Sequence, residues 1–234
     1  CFALFQANQL TQIIQDQVFV PFGFFSYNPM IGQLMIGILL AGVISLVIFG
    51  GIRRIGQVAA RLVPAMVLLY ILCGCFILLG NITNLDNILM LIISDAFTGH
   101  AVAGGTLGAV MITGIRRAAF SNEAGIGTES MAHGAAITKE PVREGLVAML
   151  GPMIDTLVVC SITGFAILST GVWTNSNLNG ISMTSAAFKT GIPFIGETIL
   201  LIIVSVFSIT TIIGYSYYGS KCTAFLFGKK WKKL

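Results

Sequence analysis

Four long stretches of this 234-residue chain are apolar and almost free of charge, and they restrict its possible folds more than any other feature. A helix needs roughly 20 apolar residues to cross the hydrocarbon core of a bilayer. The stretches at 31–50, 62–80, 145–172 and 195–219 are that long or longer. Only 9% of the residues are charged, too few to cover the surface of a soluble domain. We therefore predict an all-α, polytopic membrane protein.

Two further segments fit the same pattern less completely. Residues 86–115 are long enough to cross, but small and polar residues between Thr98 and Gly105 interrupt them. Residues 1–17 are typical of the remaining part of a sixth span. Because the chain begins with Cys1 in what looks like the middle of a helix, we expect it to be part of a longer polypeptide. The sequence thus predicts six spans in a single transmembrane domain, 1–234.

The basic residues indicate how the spans are oriented. With six alternating spans, twelve of the 13 Lys and Arg residues fall on one side, and only Lys189 falls on the other. Cytoplasmic loops carry the excess of Lys and Arg, so this side is cytoplasmic. We expect a multi-pass protein of the cell (inner) membrane, surrounded by the lipid bilayer. This bias accounts for the net charge of +4, so nucleic acid is not an expected partner.

Polar residues within the predicted spans leave two readings open in each case. The interruption in 86–115 is either a discontinuous helix whose ends bind a small charged substrate, or an exposed loop between two short helices. A polar stripe in 1–17 either lines a transport cavity or dips into the outer aqueous region. The stripe consists of Asn8, Gln9, Gln12, Gln15 and Asp16, with Gln6 to one side, nearer the apolar face.

Asp155 and a group of hydroxyls are the candidate ion ligands. A carboxylate near the bilayer centre is costly unless it is protonated, paired or bound to a cation. Asp155 therefore predicts a cation site, a proton relay or a structural hydrogen bond to its neighbours. The hydroxyls of Ser208, Thr210 and Thr211 are neutral oxygen ligands of the kind that hard cations prefer. Alternatively, they donate to carbonyls of the preceding turn.

Catalytic motifs are absent from the sequence. There is no zinc-peptidase helix motif, no hydrolase nucleophile elbow and no phosphate-binding P-loop. The two histidines, His100 and His133, fall on opposite sides of the predicted membrane and cannot share a metal. We predict no enzyme, no cofactor and no metal other than a coupling cation.

The segment GIRRAAFSNEAGIGT at 114–128 carries a specific resemblance. Together with AHGAA at 132–136 and IDTLVVC at 154–160, it closely resembles the alanine or glycine:cation symporter family, the sodium/alanine symporters. Further pieces fit in the same order along the chain. These are FQAN at 5–8, GGIRRI at 50–55, DAF at 95–97, Gly104-Gly105 and the stretch from Phe207 to Gly219.

The resemblance implies a fold and an activity. The fold would be like that of the bacterial leucine transporter, a five-plus-five inverted repeat of which this chain supplies core helices 3 to 8. The activity would be symport of a small neutral amino acid, alanine or glycine, with Na+ as coupling ion. Proton-coupled symport and a non-transporting remnant are the alternatives. Core helix 1 supplies much of the binding shell in this fold and would lie outside the chain, so the fragment alone is not expected to transport.

The same resemblance implies roles for particular residues. The substrate site would contain Gln6, Phe97, Gly104, Gly105, Thr211 and Tyr215. Sodium would lie near Ser208, Thr210 and Thr211, and Asp155 is the residue on which proton coupling would depend. Asn122 and Glu123 would act as gate or loop residues. Tyr215 stands where the family usually has Trp, and its smaller ring with a hydroxyl would alter the size of the pocket.

Overall fold

The computed structural model describes residues 2–21, 23, 29–97, 112, 114–115, 123, 126–175 and 178–228. Every regular element in these ranges is helical, so the all-α prediction is confirmed for them. The inverted-repeat arrangement remains a prediction. The α-helices are α1 (Phe2–Ile14), α2 (Pro29–Ile48), α3 (Gly51–Gly80), α4 (Leu85–Phe97), α5 (Glu129–His133), α6 (Pro141–Met153), α7 (Ser161–Ser169), α8 (Ile181–Gly191) and α9 (Gly196–Phe227). Two π-helical segments, π1 (Gln15–Phe19) and π2 (Ile154–Cys160), extend α1 and join α6 to α7.

Four described helical stretches are long and apolar enough to cross a membrane. The shortest has 19 residues, which at 1.5 Å per residue reach about 28 Å, close to the thickness of the hydrocarbon core. Large apolar side chains on these helices are exposed, as lipid-facing residues must be; Leu39 and Leu46 on α2 are 65% and 68% exposed. The four stretches are Met30–Ile48, Arg54–Gly80, Pro141–Ser169 and Gly196–Phe227, and they overlap the four uninterrupted spans expected from the sequence.

The chain divides into two compact units. The first contains Cys1–Cys73 and Asn177–Leu234 and is built around α9. Helices α1, α2 and α8 all pack against α9. A cluster of Ile55, Ile213 and Tyr217 joins α3 to α9 within this unit. On α8 the fully buried ring of Phe188 stacks on Tyr70 of α3, with ring centroids 5.6 Å apart.

The second unit covers Gly74–Ser176 and contains the last turns of α3 together with α4 to α7. Helix α4 packs against α7, and α5 packs against α6. Gly74 of α3 allows a close approach to α7, because a Cβ at this position would lie 2.1 Å from Cγ2 of Ile162. Small residues serve this purpose at interfaces between membrane helices.

The helical stretch Pro141–Ser169 is not a regular α-helix throughout. Pro152 near the end of α6 has no N–H to donate, and the wider turns of π2 begin two residues later. Segments of π-helix are rare and occur often at functional sites. Asp155 lies in the first turn of π2. Within the described residues, π2 is an irregular part of a helical stretch long enough to cross a membrane.

Candidate functional site

The hydroxyls along α9 fall into two groups. Ser205, Thr210 and Ser216 each donate to the carbonyl four residues earlier, at 2.7, 2.8 and 2.8 Å. Thr210 also lies 3.0 Å from the carbonyl oxygen of Phe207. These hydroxyls are satisfied within their own helix. For Thr210 this is the hydrogen bond that the structural alternative predicted; its oxygen keeps lone pairs, and its role near sodium stays a prediction.

Ser208 behaves differently from these neighbours. Its side chain is fully buried, and Oγ has no hydrogen-bond partner among the described residues. A buried hydroxyl without a partner destabilises the fold by on the order of 1–3 kcal/mol, so a ligand that interacts with it would be stabilising. Thr211 and Tyr215 follow at spacings of three and seven residues, which places them on the same face of α9 as Ser208. This face, defined by Ser208, Thr211 and Tyr215, is the α9 polar face.

Gln6 lies on the side of α1 that packs into the first unit. It is half-buried and precedes Leu10 and Ile13 by four and seven residues, and these two side chains are 0% and 2% exposed. Residues at these spacings share one face of a helix. The principal packing partner of α1 is α9, the helix that carries the α9 polar face. Gln6 is thus on the buried face of α1, and its role in binding substrate stays a prediction.

Part of the predicted polar stripe meets α8, a helix that the sequence interpretation did not identify. Gln12 on the stripe donates from Nε2 to Oγ of Ser182 at 3.3 Å. Gln17, one turn beyond, donates to Oγ of Ser185 at 2.7 Å, and Ser185 is buried. These serines stand three residues apart and face the amides of α1 and π1. In the sequence, the spacing of Ser182 and Ser185 beside Phe188 was the available signal for an amphipathic helix.

The second unit holds the remaining described candidates. Asp155 is half-buried in π2. Phe97 ends α4 with its ring 88% exposed, and its predicted role in closing a pocket remains a prediction. Glu123 has a positive φ of 57° and accepts a hydrogen bond from Oγ1 of Thr128 at 2.5 Å, which holds a turn together. This contact suits a loop residue.

The structure brings some of the predicted residues together and leaves others outside the described ranges. Gln6, Ser208, Thr210, Thr211 and Tyr215 belong to the first unit, on two helices that pack against each other. Phe97, Glu123 and Asp155 belong to the second unit. Gly104, Gly105 and Asn122 lie outside the described residues, as does the whole predicted interruption from Thr98 to Gly105.

Long apolar helices, one with a buried unpaired hydroxyl and another with an irregular turn at a carboxylate, are typical of a polytopic membrane protein. Comparison with protein families specifies the class further. The model of the Sodium:alanine symporter family matches residues 1–234, and the chain belongs to this family. It is a multi-pass membrane protein, and in bacteria such proteins lie in the cell membrane.

Several curated relatives resemble the chain along most of its length. A sodium/alanine symporter of Methanococcus maripaludis is 37% identical over 238 residues, covering 100% of this chain and 51% of the relative. An uncharacterized transporter of Haemophilus influenzae is 36% identical over 234 residues, covering 98% and 49%. A probable sodium/glutamine symporter of Bacillus subtilis is 38% identical over 202 residues, covering 86% and 42%. The chain spans about half the length of these relatives.

Proposed function

We propose that the protein acts in sodium-coupled uptake of a small neutral amino acid, alanine or glycine, across the cell membrane. The substrate and Na+ would bind near the α9 polar face, in a site that this chain shares with the rest of the transporter. Symport follows when each ligand stabilises the same conformation, because their affinities are then reciprocally linked.

The unpaired hydroxyl of Ser208 is the observation that carries this proposal. A dehydrated Na+ needs oxygen ligands, and in transporters of this general kind neutral oxygens near the midplane supply them. Ser208 offers such an oxygen in a buried position on a 32-residue helix. Family membership supports the activity, and a relative of the same family bears the name sodium/alanine symporter. These family relations also favour transport over catalysis.

Proton-coupled uptake is the second candidate. One relative, from Bacillus sp. strain PS3, is named a sodium/proton-dependent alanine carrier protein and is 31% identical over 210 residues. Asp155 is the residue through which a proton would act, because its carboxyl group lies in π2 within a helix long enough to cross the membrane. A non-transporting remnant would retain the fold without either activity.

Uptake of labelled alanine into proteoliposomes that contain the complete protein separates these candidates. We expect uptake to require an inward sodium gradient and to be inhibited by unlabelled glycine. Equal uptake driven by a proton gradient alone would show that the coupling ion is the proton and not sodium. No uptake of any small neutral amino acid would refute the proposed function and leave a non-transporting remnant as the remaining candidate.

An Asp155→Asn variant adds a test of the carboxylate in the same assay. If the carboxylate is linked to the coupling ion, we expect uptake to be abolished. Unchanged uptake with unchanged sodium dependence would leave Asp155 only a structural role. Unchanged amounts of protein in the membrane serve as the control for folding.

A further inference from the structure

An open cleft lies between the ends of two helices in the second unit. It has a volume of about 330 Å³ and lies between residues of the segments 84–91 and 168–173. Helix α4 begins at Leu85 and α7 ends at Ser169, so the cleft is at the start of one helix and the end of the other. With six alternating spans, both of these ends are on the side opposite the cytoplasm. None of the proposed ligand residues lines this cleft.

The polar and apolar residues of the cleft lie at different depths. On α4, Asn87 is in the first turn, and Ile88 and Leu91 follow towards the membrane interior. On the other wall, Leu168 of α7 precedes Trp173, which is in the short 3₁₀ turn after that helix. Tryptophan is enriched where the hydrocarbon core meets the lipid headgroups. The cleft therefore opens at the level of the headgroups, and its apolar side chains lie on the membrane side.

Two helix ends of opposite partial charge meet at the cleft, and no charged side chain is among the described residues that line it. The start of a helix carries a partial positive charge and its end a partial negative charge. At the end of α7, the hydroxyls of Ser169 and Thr170 donate back to the carbonyl of Ala166, at 3.2 and 2.8 Å. The carbonyl oxygens of Ser169 and Thr170 accept no backbone hydrogen bond from the described residues. These two carbonyls are available to a ligand that donates N–H groups.

These features fit a ligand that has one positive group, one negative group and no net charge. An ammonium group would donate to the carbonyls at the end of α7, and an anionic group would lie at the start of α4. The side chains of Asn84 and Asn87 add amide donors for the anionic group. A ligand with a net charge would meet no side chain of opposite charge among the described residues of the cleft.

A zwitterionic lipid and a free amino acid both carry such a pair of charges, and the cleft favours the lipid. Because the cleft is open, water screens its partial charges and binding is weak. Weak binding is sufficient for a lipid, since the surrounding bilayer supplies it at a high local concentration. Leu91 and Leu168 also lie where the acyl chains of a lipid would begin, whereas alanine and glycine have no chain that reaches them.

We propose that this cleft binds the headgroup of a zwitterionic lipid of the outer leaflet whose ammonium group carries N–H donors, as in phosphatidylethanolamine. The ammonium donates to the carbonyls of Ser169 and Thr170, and the phosphate accepts from the amides of Asn84 and Asn87. The first part of the acyl chains packs on Leu91 and Leu168. Lipid binding at this cleft does not depend on the proposed transport function.

Photo-crosslinking of the complete protein tests the proposal. The protein is placed in nanodiscs of phosphatidylcholine that contain a small fraction of phosphatidylethanolamine with a photoreactive group beside its glycerol. We expect labelling of peptides that contain 84–91 or 168–173. Unlabelled phosphatidylethanolamine should compete about fivefold better than added phosphatidylcholine, whose ammonium has the same charge but no N–H to donate. Phosphatidylglycerol, which has no ammonium group, should compete least.

Three results of this experiment would overturn the proposal. Equal competition by all three lipids would show unselective contact with the bilayer. Competition by free alanine and by none of the lipids would assign the cleft to an amino acid. Absence of label from both peptides would show that another part of the complete protein covers the cleft. The competition uses the unmodified protein and measures no transport, so a failure of the proposed function leaves this test intact.

Variants of the cleft identify the groups that bind the lipid. The double variant Asn84→Ala, Asn87→Ala should reduce labelling about fivefold. Asn179→Ala is the matched control, because Asn179 is exposed on the same predicted side and does not line the cleft. An equal loss of label in this control would refute the assignment of the amides. Equal amounts of protein in the membrane and an unchanged apparent Tm serve as controls for folding.

Asp86→Asn tests whether backbone carbonyls select the ammonium group. Asp86 is an exposed carboxylate in the first turn of α4, beside Asn87, and it does not line the cleft. The preference for phosphatidylethanolamine over phosphatidylcholine should persist in this variant. Loss of the preference would show that the carboxylate binds the ammonium group, and would refute its assignment to the end of α7.

Discussion

Two hydroxyl groups of the same residue type on α9 differ in whether they already have a hydrogen-bond partner. Ser205 and Ser208 are both serines on α9, three residues apart. The hydroxyl of Ser205 donates to Leu201, whereas that of Ser208 is buried and has no partner among the described residues. Both oxygens have lone pairs that could bind a cation, but only the Ser208 hydroxyl is buried without any described partner, so a ligand there would relieve an unpaired group. Residue type alone does not make this distinction.

Removal of the Ser208 hydroxyl should weaken sodium binding while preserving the packing of α9. Ser208→Ala keeps the side chain small, so a purely structural role in helix packing predicts no change. As a sodium ligand, the lost oxygen should raise the sodium concentration for half-maximal uptake about tenfold, which corresponds to ~1.4 kcal/mol. The measurement is alanine uptake against sodium concentration.

Ser205→Ala is the matched control, because it makes the same substitution at a hydroxyl that already donates within the helix. It should leave the sodium dependence unchanged. If Ser208→Ala and Ser205→Ala shifted the sodium dependence equally, the distinction between the two hydroxyls would be wrong.

At the scale of elements, close backbone contact fixes how α8 joins α9. Gly196 is buried at the start of α9, and a Cβ there would lie 2.1 Å from the carbonyl oxygen of Phe188 and 2.7 Å from its carbonyl carbon. These are backbone atoms of α8 and cannot rotate away. The connection between the two helices therefore requires glycine for its space.

Gly196→Ala should destabilise the first unit by forcing α8 away from α9. Overpacking of this kind costs roughly 1–3 kcal/mol. We expect a lower apparent Tm in detergent, together with weaker packing of Phe188 on Tyr70. Gly219→Ala, in the same helix with nothing within 4 Å of the added Cβ, should be neutral or slightly stabilising. Equal stability of the two variants would disprove the close contact.

At the scale of the whole molecule, the distribution of charge predicts which parts face the cytoplasm. Lys189 on α8 and Arg143 on α6 are both exposed, and the six-span arrangement places them on opposite sides. In a background without native cysteines, Lys189→Cys should react with a membrane-impermeant maleimide on intact cells. Arg143→Cys should react only after permeabilisation.

Labelling of Arg143→Cys but not of Lys189→Cys on intact cells would show that the topology is inverted. Labelling of both positions on intact cells would refute the alternation of spans. The cysteine-free parent protein, which should not react under either condition, is the control.

The sequence by itself determined the class of protein and much of its organisation. Apolar stretches of roughly 20 residues with little charge predict membrane-crossing helices, because a helix pairs its own backbone groups where the bilayer offers no water. The four stretches at 31–50, 62–80, 145–172 and 195–219 overlap the four long helical stretches. The family was also accessible from sequence, because its motifs are specific and extend along the whole chain.

Only the tertiary structure decided which polar groups are free and which are already bonded. Helix packing decides three of these cases: Ser208 has no hydrogen-bond partner among the described residues, Gln17 contacts Ser185, and His133 contacts Glu144. Long-range contacts of this kind join residues far apart in the chain, such as positions 17 and 185, and no local pattern encodes them. The hydrophobicity of a segment can be calculated from its own residues. Whether a buried polar group has a hydrogen-bond partner depends on which other residues pack around it.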